Sequence, residues 1–242
     1  MRRGALRGLP TAGRPLHAGA MTMKYRLFGR TGLRVSELLL GTMTFDDPAE
    51  AGRIVDAYAD AGGNVLDTAS AYGRSEELIG SVVRRRDRFV LGTKYTLSRD
   101  AADPNASGNH RKNLTVSLER SLRRLRTDHV DLYWVHIWDR HTPVEETLRA
   151  LDGAVRAGKV LCTGISDAPA WVVSRANTLA DWRGWTPFTA GAPGRPGLAH
   201  RAGTGGGRRR PAGRGGAGRD PGAGGAGVDP PPVPVGAAAG RG

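Results

Sequence analysis

The feature that most constrains the fold of this chain is a repeated alternation between short apolar runs and helical patterns. Each apolar run has the length and composition of a buried strand, and a stretch with apolar residues at helical spacing follows it. The five apolar runs lie at residues 38–40, 65–66, 89–91, 132–135 and 160–162. Near-continuous apolar strands that alternate with helices are typical of a parallel sheet covered by helices. The alternation therefore predicts an α/β fold with five β/α units.

Two parallel architectures, a doubly wound sheet and a barrel, both fit this alternation. A dinucleotide-binding Rossmann domain carries a Gly-x-Gly-x-x-Gly turn between a strand and the next helix. None of the five apolar runs is followed by that pattern. The sequence therefore argues against a Rossmann domain and leaves the barrel open.

Glycine composition divides the 242-residue chain into parts that can and cannot form a core. Half of its 36 glycines, 18 residues, lie in residues 191–242, and that stretch contains no aromatic residue. Such a segment cannot bury enough apolar surface to offset the entropy lost on ordering. We therefore expect a disordered or mis-assigned N-terminal extension at 1–22, a foldable region at 23–190, and a disordered tail at 191–242.

The tail, rich in Gly, Arg, Pro and Ala, has two possible interpretations. Its run of three arginines at 208–210 fits an RNA-binding segment. Such segments usually interleave aromatic residues that stack on bases, however, and this one contains none. Because Gly, Ala, Arg and Pro all have GC-rich codons, the composition favours a frameshifted reading of a GC-rich gene over a functional basic tail.

The net charge of +13 belongs mainly to the two ends of the chain. We therefore expect no nucleic-acid binding by the folded part. The single cysteine, Cys162, lies in an apolar run and is expected in the core, and one cysteine excludes an intramolecular disulfide. No apolar run approaches the ~20 residues that span a bilayer. The chain is therefore expected in the cytoplasm, without a membrane segment or a bound metal.

Polar side chains follow four of the predicted strands at the point where each strand ends. They are, in chain order, Asp67, Lys94, His136 and Ser166, and Tyr72 follows the first of them by five residues. Parallel strands place their carboxyl ends on one rim, which carries the active site in α/β barrels. The sequence therefore predicts that these groups converge in one site.

Such a convergence suits proton donation to a carbonyl oxygen. A tyrosine has a pKa near ~10 and donates poorly at neutral pH, but an adjacent ammonium group would lower that pKa. Lys94 would supply the ammonium, Asp67 would hold it, and His136 would orient the carbonyl. Taken singly, these residues also fit plainer roles, such as a helix cap, a packed aromatic for Tyr72, or a solvated strand end. Trp138 could contact the substrate or simply close the rim.

A segment at residues 62–73 reads Gly-Gly-Asn-Val-Leu-Asp-Thr-Ala-Ser-Ala-Tyr-Gly and is followed by Ser75 and Glu76. This segment resembles the signature of the aldo-keto reductase family. Further segments typical of that family lie at 25–36, 39–42, 93–94, 131–133 with 135–136, and 158–160 with 164–166. The resemblance covers essentially residues 23–190. It implies a (β/α)8 TIM barrel that binds NADPH without a Rossmann fold and reduces aldehydes or ketones to alcohols.

The resemblance also implies roles for individual residues. Tyr72 would be the general acid, Lys94 and Asp67 would tune it, and His136 would orient the substrate carbonyl. Ser166 would hold the nicotinamide carboxamide. Its neighbour in the family is usually an asparagine, and Asp167 at that position weakens this contact or changes its donor pattern. The residues implied in cofactor binding are Gly41, Thr42, Asp67, Ser166 and Asp167.

The resemblance ends near residue 190, where the family continues with three more strands and a basic loop for the adenosine 2′-phosphate. We therefore expect a barrel truncated after about five β/α units, with impaired or no activity. Two other functions stay open: a non-catalytic regulatory or interaction subunit built on the same barrel, and an RNA-binding tail. The sequence does not predict the particular carbonyl substrate, the choice between NADPH and NADH, or the oligomeric state.

Overall fold

The structure, a computed structural model, describes residues 23–98 and 100–193. The N-terminal extension expected at 1–22 lies outside the described residues. The same holds for the tail from residue 194 onwards, and with it for the RNA-binding and frameshift hypotheses.

A six-stranded parallel sheet forms the centre of the fold, and its strands lie side by side in chain order. An antiparallel hairpin precedes it, made of β1 (Tyr25–Leu27) and β2 (Arg34–Ser36). The sheet contains β3 (Leu40–Gly41), β4 (Val65–Asp67), β5 (Val90–Tyr95), β6 (Val130–Val135), β7 (Val160–Ala168) and β8 (Phe188–Pro193). The helices between them are α1 (Pro48–Asp60), α2 (Ser75–Val82), α3 (Arg111–Leu125), α4 (Val144–Arg156) and α5 (Ala170–Arg183). This confirms the predicted parallel β/α units.

Alternate residues of β4, β5 and β6 contribute to two hydrophobic clusters on opposite faces of the sheet. The larger cluster fills the space between the sheet and the helices, and the four leucines of α3 belong to it. The smaller cluster lies on the other face and contains Val65, Val90 and Leu132. Phe28 and Leu33, which flank the turn of the hairpin, pack against this smaller cluster. The hairpin therefore covers the amino-terminal end of the sheet.

The helix ends follow local sequence signals. The Asp47 carboxylate accepts a hydrogen bond from the Glu50 N–H at 2.7 Å and caps α1, whose first residue is Pro48. Helix α5 ends at Gly184, which adopts φ +64°, a left-handed conformation that glycine tolerates readily. In the part of the chain that the structure describes, no helix combines the length and the hydropathy that a membrane crossing requires.

Two strands differ from the sequence prediction. The strand expected at 38–40 contains only Leu40 and Gly41, while Leu38 and Leu39 are exposed. The Leu38 carbonyl instead accepts hydrogen bonds from the side chains of Ser36 and Tyr58, so this segment is a turn that leads out of the hairpin. A sixth strand, β8, follows the five predicted units and extends to residue 193, three residues past the boundary expected at 190.

Candidate active site

The carboxyl ends of four neighbouring strands bring the predicted polar residues to one rim of the sheet. Asp67 ends β4, Lys94 lies one residue before the end of β5, and His136 follows β6, while Ser166 lies near the end of β7. Side chains alternate between the two faces of a strand. The residues adjacent to these four all pack on the helix side of the sheet: Leu66, Tyr95, Val135 and Ile165. The four polar side chains therefore share the opposite face.

Lys94 and Asp67 form a mostly buried ion pair. The Lys94 Nζ lies 2.5 Å from the Asp67 Oδ2 and donates a second hydrogen bond to the Thr68 carbonyl at 2.8 Å. Burial lowers the pKa of Lys94, and the negative charge of Asp67 opposes that shift. Asp67 therefore holds the ammonium group in place, as the sequence suggested.

Tyr72 lies against both of its expected partners. The Lys94 Nζ is 5.1 Å from the centroid of the Tyr72 ring, within the range of a cation–π contact. The ring of His136 lies edge-on to the same tyrosine, with centroids 5.7 Å apart and an interplanar angle of 80°. A tight turn fixes the backbone here, because the Tyr72 N–H donates to the Ala69 carbonyl and the Ser75 N–H donates to the Tyr72 carbonyl. Tyr72, Lys94 and His136 thus form one cluster.

The expected lowering of the Tyr72 pKa by Lys94 is wrong for this arrangement. The pKa of Tyr72 is raised, first by burial and second by the negative charge of Asp67. The reason is geometric, since the ammonium group lies against the ring and is paired with the Asp67 carboxylate. The phenol therefore stays protonated at neutral pH.

Ser166 and Asp167 lie on the other side of His136. The Ser166 hydroxyl donates a hydrogen bond to the His136 carbonyl, and the Asp167 carbonyl accepts one from the Trp138 N–H at 3.4 Å. Asp167 has φ +48°, a left-handed conformation in which asparagine and aspartate are the most common residues after glycine. The exchange of asparagine for aspartate at this position is therefore compatible with the backbone.

Gly41 and Thr42, the other two expected cofactor residues, occupy different environments. Gly41 ends β3 and is exposed, with open space where a side chain would lie. Thr42 is completely buried, and its hydroxyl lies 2.7 Å from the Ser75 hydroxyl and 3.1 Å from the Asp67 carbonyl. The Thr42 side chain is thus engaged inside the protein, and a cofactor at this rim could reach Gly41 but not the Thr42 hydroxyl.

A buried hydroxyl cluster, formed by Thr42, Thr68 and Ser75, was not predicted from the sequence. The Ser75 hydroxyl also lies 2.9 Å from the Thr68 hydroxyl and donates to the Thr42 carbonyl at 2.8 Å. The cluster joins the start of α2 to the ends of β3 and β4. Asp67 is the last residue of β4 and therefore lies beside it. The sequence signal that could have revealed this cluster was the position of its hydroxyl residues. Thr42 and Thr68 directly follow two strands, and Ser75 begins a helix.

Asp139 joins two loops at the rim and was also missed. Its carboxylate accepts hydrogen bonds from the Asn109 N–H at 2.6 Å and from the His141 N–H and the N–H and hydroxyl of Thr142, each at 2.8–2.9 Å. Burial alone would raise the pKa of Asp139, but these hydrogen bonds outweigh it and lower the pKa. The loops that follow β5 and β6 are therefore held together next to His136.

Trp138 is half-buried and packs edge-on against Trp171 at the start of α5, with centroids 5.7 Å apart.

Cys162 is half-buried and packs against the smaller cluster, and burial raises the pKa of its thiol. Among residues 23–98 and 100–193, no group of three His, Cys, Asp or Glu side chains is placed to hold a metal ion.

Comparison with known proteins agrees with this geometry. A model of the aldo/keto reductase family matches residues 37–189. Norsolorinic acid reductase stcV of Emericella nidulans is 46% identical over 177 residues, which cover 65% of this chain and 46% of that protein. Norsolorinic acid reductase of Aspergillus flavus is 41% identical over 183 residues, covering 67% and 47% of the two chains. An aryl-alcohol dehydrogenase [NADP(+)] of Phanerodontia chrysosporium is 40% identical over 181 residues, covering 65% and 47%.

The chain spans about half the length of the curated relatives that it matches. The family match nevertheless covers every element from β3 to α5 and includes the rim that carries Asp67, Tyr72, Lys94 and His136. The parallel strands with their intervening helices also agree with the (β/α)8 barrel of that family. The chain therefore belongs to the aldo/keto reductase family.

Proposed function

We propose that this protein reduces an aldehyde or ketone to an alcohol with NADPH, and that Tyr72 is the general acid. One observation carries the proposal: the Tyr72 ring lies against Lys94, which is paired with Asp67, and against His136. Ionisable groups with shifted pKa values cluster at functional sites, and both Tyr72 and Lys94 have shifted pKa values. The relatives include a reductase and an aryl-alcohol dehydrogenase by name, which supports the same chemistry.

The cofactor part of the proposal rests on the rim residues and on one relative. Gly41 leaves open space at the end of β3, and Ser166 and Asp167 are only half-buried at the end of β7. These residues fit a role in holding the nicotinamide end of NADPH, which supplies the hydride that reduces the carbonyl carbon. The relative from Phanerodontia chrysosporium carries NADP(+) in its name.

The side chains of this protein would supply the proton. The phenol of Tyr72 is protonated at neutral pH, as in an ordinary tyrosine, so its O–H can donate to the oxygen of the bound carbonyl. Burial and Asp67 raise its pKa, which makes it a weaker acid than a free tyrosine. An alkoxide is more basic than a phenolate, so transfer of the phenolic proton to the developing alkoxide is downhill. Lys94, whose ammonium group lies against the Tyr72 ring, would hold that ring in place through the cation–π contact. His136 would orient the carbonyl oxygen from the other side of the ring.

Tyr72→Phe tests the proposal directly. We expect the full chain to oxidise NADPH in the presence of aromatic or aliphatic aldehydes, with a weak turnover. Removal of the hydroxyl should lower kcat by about 10²- to 10⁴-fold, the usual contribution of a general acid, while NADPH binding measured by fluorescence stays unchanged. Tyr25→Phe is the matched control, because the Tyr25 hydroxyl donates to the Gly62 carbonyl outside this site.

Two results would overturn the proposal. The first is a Tyr72→Phe variant that retains the wild-type rate, since the proton would then come from another group. The second is a folded wild-type chain that neither binds NADPH nor reduces any aldehyde. That outcome would favour the non-catalytic interaction subunit instead.

A further inference from the structure

A cavity of about 280 Å³ lies between the amino-terminal ends of α4 and α5, beside the rim. The loop after β6 and the first turn of α5 form its walls. Its lining includes two tryptophans and three basic residues, Trp138, Trp171, Arg140, His141 and Arg175. None of the residues proposed above to transfer the proton lines this cavity.

The two tryptophans form an aromatic corner. Their rings are nearly perpendicular, at 80°, with centroids 5.7 Å apart. Trp138 is half-buried, but Trp171 leaves 59% of its surface exposed, which is unusual for so large an apolar side chain. A third flat ring could stack on one indole and meet the edge of the other, the two arrangements that aromatic groups prefer. The corner therefore fits an aromatic ligand.

The charges around this corner favour an anion. Arg140 forms no ion pair with any residue in the described part of the chain, whereas Arg175 is paired with Glu145 at 3.1 Å. The nearby carboxylate of Asp139 already accepts four hydrogen bonds from its own loops. Glu145 itself lines the cavity, so the lining carries two arginines against one carboxylate, and Arg140 is the one without an acidic partner among the lining residues.

Helix α5 adds to this positive potential. It begins after Pro169 without a side chain that caps it and without an acidic residue in its first turn, so its first N–H groups and the positive end of its dipole lie next to the cavity. Helix α4 also begins uncapped, after Pro143, but Glu145 and Glu146 in its first turn offset its dipole. The start of α5 adds to the attraction that Arg140 exerts on an anion, and the two tryptophans provide the contact surface.

We propose that this cavity binds a planar aromatic group that carries an acidic substituent such as a carboxylate. Its volume of about 280 Å³ lies just below the roughly 300–1,000 Å³ typical of ligand pockets, so one ring or two fused rings would fill it. The inference goes beyond the proposed carbonyl reduction and does not depend on it. The ligand is either an acidic aromatic part of the substrate or a separate aromatic acid.

Binding of 2-naphthoate to the full chain, followed by tryptophan fluorescence, tests this proposal without NADPH or turnover. We expect a saturable change in fluorescence, and weaker binding of the uncharged 2-naphthylmethanol. Trp171→Ala should weaken 2-naphthoate binding about tenfold or more, because it removes one stacking surface. Arg140→Gln should weaken it to a similar extent and reduce the preference for the acid over the alcohol. Both side chains are exposed at the surface, so these variants should fold.

Trp182→Ala is the matched control. Trp182 also lies on α5, is 76% exposed and has Arg183 over its ring at 4.8 Å, but it does not line the cavity. The proposal fails if Trp182→Ala weakens binding as much as Trp171→Ala, if the alcohol binds as tightly as the acid, or if no saturable binding occurs. In a turnover assay, competition between 2-naphthoate and the aldehyde would assign the cavity to the substrate. Binding without competition would assign it to a separate aromatic acid.

Discussion

Removal of one partner from the ion pair between Lys94 and Asp67 should destabilise the fold strongly because the pair is buried, not because it is short. Its Nζ–Oδ2 distance is 2.5 Å, and its side chains are 10% and 28% exposed. Arg26 and Glu37 form an ion pair with the same N–O distance, but their side chains are 77% and 30% exposed. The two pairs therefore separate the effect of burial from that of distance.

Removal of one partner of a fully buried pair costs about 3–5 kcal/mol, because the other charge stays buried. We expect Asp67→Asn to cost about 3–4 kcal/mol, since it leaves the ammonium group of Lys94 with the Thr68 carbonyl as its main acceptor. Lys94→Met should cost about 2–3 kcal/mol, because the Asp67 carboxylate can recover some hydration. The double variant buries no charge, so its loss should not exceed that of either single variant, which is a shortfall of about 3 kcal/mol or more from the sum.

Urea unfolding of the full chain at neutral pH, followed by circular dichroism, measures all four free energies of unfolding. The same cycle on Arg26→Met and Glu37→Gln should give a coupling below about 1 kcal/mol, as for exposed pairs in general. If the Lys94–Asp67 losses were additive within about 0.5 kcal/mol, or if both cycles gave equal couplings, burial would not be the source of the coupling between Lys94 and Asp67.

Two further changes test the structure away from that pair. Ser75→Ala should lower the free energy of unfolding by about 2–3 kcal/mol, because it leaves buried partners of the Ser75 hydroxyl unpaired. Ser81→Ala on the same helix removes one hydrogen bond, to the Leu78 carbonyl, and should cost at most about 1 kcal/mol; equal losses in urea would contradict the role of the hydroxyl cluster. Burial raises the pKa of Tyr95, so above pH ~10 the unfolded chain releases its phenolic proton and the folded chain retains it. Above that pH, the free energy of unfolding of the wild type should therefore fall more steeply than that of Tyr95→Phe, by up to about 1.4 kcal/mol per pH unit. Parallel curves of unfolding free energy against pH for the two proteins would refute this.

Periodicity was sufficient to predict most of the sheet and the helices. The leucines of α3 recur at helical spacing, and all four are buried. The runs at β5, β6 and β7 are nearly continuous in apolar residues, as strands covered on both faces should be. The position of polar residues at the ends of these strands was enough to predict which side chains share the rim. The family motifs then related that rim to a known chemistry.

Other features depend on partners that are remote in the sequence. Strand β8 contains one large apolar residue, Phe188, and pairs with β7 only because α5 returns the chain to the edge of the sheet. The burial of the Thr42 hydroxyl requires Ser75, which is distant in the chain. The direction of the Tyr72 pKa shift depends on whether the ammonium group faces the ring or the hydroxyl, and spacing along a chain contains no such information.

The hairpin that covers the amino-terminal end of the sheet also has a consequence for the order of folding. Gly29 lies in its turn, at φ +55°, directly against the backbone of Thr189 in β8. During synthesis, the residues between these two positions take roughly 10–30 s to emerge from the ribosome. The β/α units can form locally as they appear, whereas the hairpin cannot complete its docking until β8 has been made. The hairpin, the first element among the described residues, is therefore among the last to reach its final position.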